Sequence, residues 1–521
     1  MMDSKLRWQV YTLFIFLAAG LALGRIIAVD NISDRAVQEY RLRTVKPQLE
    51  EKEKQLKAKG ASDAAIKKEL EKTETKLLET YRTARPFLSA NDRSRVCTIR
   101  VLVEPELREK RIIFLNGLSV EQEVPFAIDK ITLRKGWDTI DMVYHTLPPD
   151  DPDGPSYLYS TKPPLLPTVM AIPYWVIHKI TGKTFDTDLY LVTRLMLVIC
   201  HLIPLVIGWF LMAAMIERFG KTDWGRIFAV AFTCFATFLS TFVVTLNNHL
   251  PAVFCVTVAL YAGVKIWFDG DTRKRWFALA AFFATFAMAC ELPAILFLAF
   301  LGLALLIKYP KQTLVAGVPA CMIVFAAFFW TNYLAHQTVL PPYSQRDWYL
   351  YHYNKHGKEF DSYWKNPKGI DASGKNESQA AYVLNSTVGH HGIFSLTPVW
   401  LLSIVGLGIW LLQKEDARFR QFALMILAMS LICFIFYMMM PPENRNYGGM
   451  TSGLRWMFWF IPFWTLAFLP AVDLFSGNRV LHRILRGVTI ILLMFSALSV
   501  TYPLWNPWSH PWIWHLMNWW R

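Results

Sequence analysis

Lys162 is followed directly by Pro163, Pro164 and an apolar stretch, in the run YLYSTKPPLLPTVM from Tyr157 to Met170. Proline fixes its own backbone and disfavours helix in the residue before it. The sequence therefore predicts Lys162 extended, just outside a helix that begins at Pro163 or Pro164. A helix N-terminus carries positive potential, so lysine and dipole would converge on an anion at a membrane surface, where a lipid phosphate is the natural one. The alternative is a lysine snorkelling at the interface. Asp138 and Asp141, in GWDTIDMVYH, have the spacing that puts two carboxylates on one helix face, as a reserve base or as ligands for a divalent metal. Two carboxylates alone do not indicate a metal, and no cofactor is indicated elsewhere. STVGHHGIFSLTP sets His390 and His391 between glycines. Adjacent histidines in an extended segment point in opposite directions, a poor bidentate metal site; contact with a phosphate or an acceptor, or backbone positioning, remain open. Arg455, at the outer end of an apolar span, is either a second phosphate clamp or a snorkelling arginine, and Glu291, at a break between two apolar blocks, is either an intramembrane acid with a functional role or a residue at the outer surface. Trp348, Tyr349, Tyr351, Tyr353, Tyr363 and Trp364 offer flat surfaces to sugar rings, or anchors at an interface.

Positioning these residues falls to a membrane scaffold. The chain has 521 residues, 54% hydrophobic and 15% aromatic, with apolar residues in blocks near bilayer length rather than at amphipathic spacing. That predicts an all-α polytopic membrane protein with about eleven transmembrane helices. The net charge of +14 does not point to nucleic acid, because the basic residues sit in short clusters between apolar blocks. Of the seven cysteines only Cys97 lies in a polar region, so no disulfide framework or CxxC metal site can be assembled. One set of short loops carries Lys5 and Arg7, Arg218, Lys221 and Arg226, Arg273 to Arg275, Lys308 and Lys311, Lys414, Arg418 and Arg420, and Arg479, Arg483 and Arg486. The opposite short loops supply only Arg445 and Arg455. The expected N-terminus is therefore cytoplasmic, with an uncleaved first helix.

The expected organisation is a first transmembrane helix over 1–28, an outward helical hairpin insertion over 29–89, and a first outer loop with the candidate site over 90–182. Transmembrane helices follow over 183–335, then a second large outer loop over 336–396, C-terminal transmembrane helices over 397–503 and a Trp-rich outward tail over 504–521. Within the insertion, Asp34 to Arg85 is rich in Lys and Glu, reads as two amphipathic helices broken at Gly60-Ala61-Ser62, with Ser62 or Asp63 capping the second, and is either a solvated insertion or an arm for a protein partner.

NDRSRVCTIRVL, from Asn91 to Leu102, followed later by YLYSTKPPLL, resembles the GT-C class of integral membrane glycosyltransferases, in particular the protein O-mannosyltransferase and lipid A aminoarabinose transferase group. In that group an Asp-x-x-Arg helix in the first outer loop precedes Lys-Pro-Pro-Leu at a juxtamembrane helix, and Asp92, Arg95, Lys162, Pro163 and Pro164 occupy those positions. Arg194, in LVTRL, matches an arginine common at the start of the next span. LNNHLPAVFCVTVALY, from Leu246, is similar to a span entry that often carries an aspartate, where this chain has Asn248 and His249. The resemblance covers roughly 90–340. It implies a GT-C-like arrangement with two large outward loops, and transfer of a sugar from a polyprenyl-phosphate donor to a lipid, glycan or protein acceptor on the extracytoplasmic face. Asp92 would be the general base in an inverting displacement, against the alternative of a helix N-cap. Arg95, Lys162, Arg194, His390, His391 and Arg455 would contact substrate, with cations stabilising the departing phosphate. A bacterial inner membrane is the expected location. Competing classes are a transporter or lipid flippase, which would show paired inverted halves, and a non-catalytic membrane scaffold.

Overall fold

The computed structural model describes residues 2–29, 40–82, 89–115, 118–134, 136–366, 377–442, 445–477, 479–503 and 506–519. The ends of the expected insertion, residues 34–39 and 83–85, lie outside them.

Helices dominate, and eight described helices are long and apolar enough to cross a membrane. They are α1 (Ser4–Ile27), α6 (Leu189–Phe219), α7 (Asp223–Phe242), α8 (His249–Trp267), α11 (Pro310–His336), α14 (Ala417–Met438), α15 (Arg455–Leu474) and α16 (Val480–Thr501). The expected blocks at 276–290, 293–309 and 397–413 fall on shorter helices, α9 (Lys274–Cys290), α10 (Leu292–Lys308) and α13 (Trp400–Leu412). This is the architecture of an all-α polytopic membrane protein. The central span is α15, 83% of whose most apolar window is buried, against 22% for α16 and 28% for α1. Leu13, Phe16, Leu17 and Leu21 of α1 are exposed, as a lipid-facing rim requires. Small residues let spans approach: a Cβ on Gly406 of α13 would fall 1.8 Å from the Ala467 carbonyl oxygen of α15. At the end bearing the N-terminus, buried Arg7 pairs with Glu217 (2.6 Å) and Asp223 (3.0 Å), tying α1 to α6 and α7.

Between α1 and α6 lie α2 (Lys46–Ala58), preceded by the π-helical turn Arg41–Val45, and α3 (Asp63–Arg82). They form the expected hairpin, turning at Gly60 with φ of 72° and joined by Lys52 to Glu69 at 2.9 Å. Then come α4 (Ala90–Val103), the antiparallel hairpins β1 (Glu109–Leu115) with β2 (Leu118–Val124) and β3 (Met142–Thr146) with β4 (Ser156–Ser160), and α5 (Leu165–Thr181). A third hairpin, β5 (His352–Lys355) with β6 (Lys358–Asp361), lies in the second outer segment ahead of α12 (Gln379–Thr387). The C-terminal segment ends in α17 (Trp512–Met517).

Two polar devices hold the two large segments between spans over the bundle. Buried Arg100 of α4 pairs with Glu104 (2.7 Å) and Asp186 (2.6 Å), while Tyr174 of α5 donates its hydroxyl to Glu104 (2.6 Å). Buried Asp129 accepts from the Leu158 amide (2.8 Å) and from the Tyr353 hydroxyl (3.1 Å), and Trp364 donates its indole N–H to the Ile140 carbonyl (2.8 Å). The large segment after α11 is thereby bonded onto the large segment before α6.

Candidate functional site

The site is assembled from five places in the chain. Ser89, with extended backbone, caps α4 by accepting the Asp92 amide (3.1 Å). Asp92 therefore sits in the first turn rather than at the cap, a correction to the N-cap alternative; the hydroxyl just upstream takes that role. One turn on, Arg95 is 1% exposed and donates to the Leu246 carbonyl (2.7 Å) and to Asn248 Oδ1 (2.9 Å). Lys162 lies in a bend between β4 and α5, with Pro164 as the N-cap residue, so the helix begins one residue later than expected. Its Nζ is 3.4 Å from Asp141 Oδ2. Asn248 and His249 open α8, and Glu291 occupies the break between α9 and α10 that the sequence indicated. Arg455 begins α15.

Arg95, Lys162, Asn248, His249, Glu291 and Arg455 line one cavity of about 210 Å³. That is below the ~300–1,000 Å³ of whole small-molecule sites and suits a head group. Asn248 is fixed at both ends, since its Nδ2 donates to Glu291 Oε1 (2.6 Å) and to the Cys290 carbonyl (3.1 Å). Glu291 Oε1 also contacts His249 Nδ1. Arg455 reaches His249 Nε2 with Nη1 (2.7 Å), donates from Nε to the Gly448 carbonyl (2.6 Å), and lies 4.9 Å over the Trp508 ring. Gly448 has φ of 95°, and a Cβ there would crowd Arg455 Cγ at 3.1 Å, so glycine is required on both counts.

Three cations thus face one carboxylate across the cavity. Burial pushes the Lys162 ammonium below the usual lysine value; Asp141 opposes this, while Arg95 and Arg455 add to it. Burial likewise lowers Arg95, whose Nε has no partner. An anion in the cavity would answer all three charges. Asp92 is fully buried and is not part of the cavity lining. Its Oδ2 accepts from Trp508 Nε1 (3.3 Å), and burial, opposed chiefly by Arg95, pushes its carboxyl up to about 6.

The structure brings Arg95, Lys162 and Arg455 together, with Asp92 and Asp141 beside them. Asp138 is exposed, and its carbonyl accepts from Arg93 Nε (2.7 Å). The helix face expected for Asp138 and Asp141 is absent, because this stretch runs non-helically into β3 and is held there by Ser94 Oγ donating to the Asp141 carbonyl (2.6 Å). Arg194 donates to the Val29 carbonyl (3.1 Å) and packs over Tyr190, away from the cavity lining. His390 and His391 occupy a turn, not an extended segment, and their Nδ1 atoms meet at 2.5 Å instead of diverging. His391 stacks on Tyr447 with centroids 4.5 Å apart, and burial pushes both imidazoles below their ordinary values. Trp508, which touches both Asp92 and Arg455, was hidden in the Trp-rich tail; the density of tryptophan there was its one signal.

Among the described residues, no three His, Cys, Asp or Glu side chains gather closely enough to hold a metal ion. A second cavity of about 230 Å³, almost wholly apolar, lies between α9, α10 and α11 against Ala281, Ala284, Leu298 and Gly317. It adjoins the same helix whose end, at Ala289 and Cys290, lines the charged cavity. No family model matches the chain, and comparison with curated proteins gives no match.

Proposed function

We propose that this protein is a membrane glycosyltransferase of the GT-C kind, moving a sugar from a polyprenyl-phosphate donor to a lipid, glycan or protein acceptor. The observation that carries the reading is the convergence of Arg95, Lys162 and Arg455 on one cavity, beside an apolar groove on α9. From Ala289 to Ala284 is about 8 Å along a helix, so a phosphate held by the cations leads its prenyl chain into that groove. In the transfer, an acceptor oxygen attacks the anomeric carbon, and the bond to phosphate breaks with its electron pair on the phosphate oxygen. The three cations stabilise that developing charge, and attack opposite the leaving group inverts the centre. The accompanying topology has about eleven crossings, a cytoplasmic N-terminus, both large segments facing outward and a bacterial inner-membrane location. The surface arm of α2 and α3 is a docking element for a protein partner.

The test is binding and transfer by purified protein in lipid vesicles, using a panel of radiolabelled polyprenyl-phosphate sugars. Binding that falls in Lys162→Gln and Arg455→Gln, with sugar transferred by the unaltered protein, is the expected result. Binding without transfer, or movement of the labelled lipid between leaflets, overturns the enzymatic reading in favour of a carrier or scaffold.

A further inference from the structure

Arginine has no hydrogen-bond acceptor, so the 2.7 Å contact of Arg455 Nη1 with His249 Nε2 makes that nitrogen the acceptor. The single ring proton is then on Nδ1, which is in ion-pair contact with Glu291 Oε1 without being aligned as a hydrogen bond. Glu291 is itself held by Asn248 at 2.6 Å, so the carboxylate cannot turn away without losing that bond. A carboxylate this close to Nδ1 stabilises the imidazolium formed when Nε2 takes a proton. His249 lines the cavity and is 2% exposed, so bulk water does not compete at this position. Asp92, in contrast, has one oxygen engaged by Trp508 and lies outside the lining.

We propose that His249, oriented by Glu291, takes the proton of the acceptor hydroxyl, and that Arg455 occupies its lone pair until an anion enters the cavity. This rests on the glycosyl-transfer reading above. When a donor phosphate binds, Arg455 Nη1 turns from His249 to the phosphate. The guanidinium keeps its Nε bond to the Gly448 carbonyl and its seat on Trp508, so the movement is confined to the outer nitrogens. Donor binding therefore uncovers the base. The acceptor oxygen then bonds to the anomeric carbon, the sugar–phosphate bond breaks with its electron pair on the phosphate, and the acceptor proton passes to His249 Nε2. That proton leaves to water with the products, and Arg455 returns. Without donor the base is covered, which protects the site from idle proton exchange and makes donor-first binding the order of events. The charged and titratable groups facing His249 are Glu291, Arg455, Arg95 and His201, with Asp141, Asp92 and Tyr437 beyond Arg455.

The experiment compares unaltered protein with His249→Gln and Glu291→Gln in vesicles, measuring polyprenyl-phosphate binding separately from the pH profile of labelled-sugar transfer. Glutamine at 249 can still accept from Arg455 and donate to Glu291, so it preserves a structural bridge while removing the titrating nitrogen. The expected result is unchanged binding, a rate lower by roughly 10²–10⁴-fold, and loss of the rising acid limb of the profile. A rate and limb equal to those of the unaltered protein overturn the proposal. So does an acid limb that survives in His249→Gln, which would assign the base to another group, Asp92 first. If His249→Gln does not accumulate as folded protein, Glu291→Gln decides: a displaced limb with binding kept supports the proposal, and an unmoved limb overturns it. Failure of the unaltered protein to bind any donor instead removes the glycosyl-transfer reading itself and this inference with it.

Discussion

Replacing Asp92 with asparagine should stabilise the protein at alkaline pH. Asp92 is fully buried, Trp508 supplies one bond at 3.3 Å, and its Oδ1 has no partner. Burial pushes the carboxyl from 3.8 up to about 6. The folded chain thus holds this proton more tightly than the unfolded chain. Stability from this group is complete below the unfolded value, declines as pH rises through 3.8 to 6, and is fully lost above 6. A rise of roughly two pKa units at 1.36 kcal/mol each gives a cost of about 3 kcal/mol at pH 8. Asparagine is neutral and can still accept the Trp508 N–H, so it avoids this cost. The assay is the thermal midpoint of purified protein in detergent, read at matched scan rates from pH 4 to pH 8. The Asp92→Asn midpoint should exceed that of the unaltered protein at pH 8, and the gap should close on acidification through 6. A variant that is less stable at pH 8, or a gap independent of pH, would refute the burial reasoning and indicate a compensated carboxylate.

Lys162→Gln removes a charge-assisted contact worth about 1.5–3 kcal/mol and should weaken polyprenyl-phosphate binding to vesicles by roughly 10- to 100-fold; equal affinity would exclude Lys162 as an anion ligand. Tyr353→Phe deprives buried Asp129 of its 3.1 Å donor and should cost about 1–3 kcal/mol, seen as faster proteolysis of the second outer segment. Because burial pushes Asp129 up to about 6, the effect should be larger at pH 8 than at pH 5. Arg100→Met strands Glu104, which is 3% exposed, and should cost about 3–5 kcal/mol; an unchanged thermal midpoint would show that the pair contributes nothing net.

The spans were legible because bilayer length is written directly as apolar blocks, as in Leu189–Phe219 and His249–Trp267. The α2–α3 hairpin was legible for a local reason, a glycine break between charged amphipathic runs. Of the site, Lys162 could be placed because two prolines constrain its neighbourhood. The β hairpins were not read. In β3 and β4, residues pointing to both faces are buried, as at Met142 and Val143 or Leu158 and Tyr159, so no alternation marks the strands. For β1 and β2 the Asn116-Gly117 pair in the sequence was an available hairpin signal. Asp138 and Asp141 do not share a helix face and His390 and His391 do not diverge, because tertiary bonds, not propensity, shape those turns. Arg95 meets Asn248 across 153 positions, and Trp508 meets Asp92 across 416. No local pattern encodes contacts at such separations.

That last separation has a consequence for biogenesis. A ribosome adding ~5–20 residues per second needs roughly 20–80 s to travel from Asp92 to Trp508. Throughout that interval the segment holding Asp92 has been made, while the indole that will cover its carboxylate has not. The nascent chain must therefore carry Asp92 hydrated or protonated until the final segment closes over it. Stop codons just after α16 should consequently yield a bundle that inserts with all its spans yet is recognised by membrane quality control as unfinished.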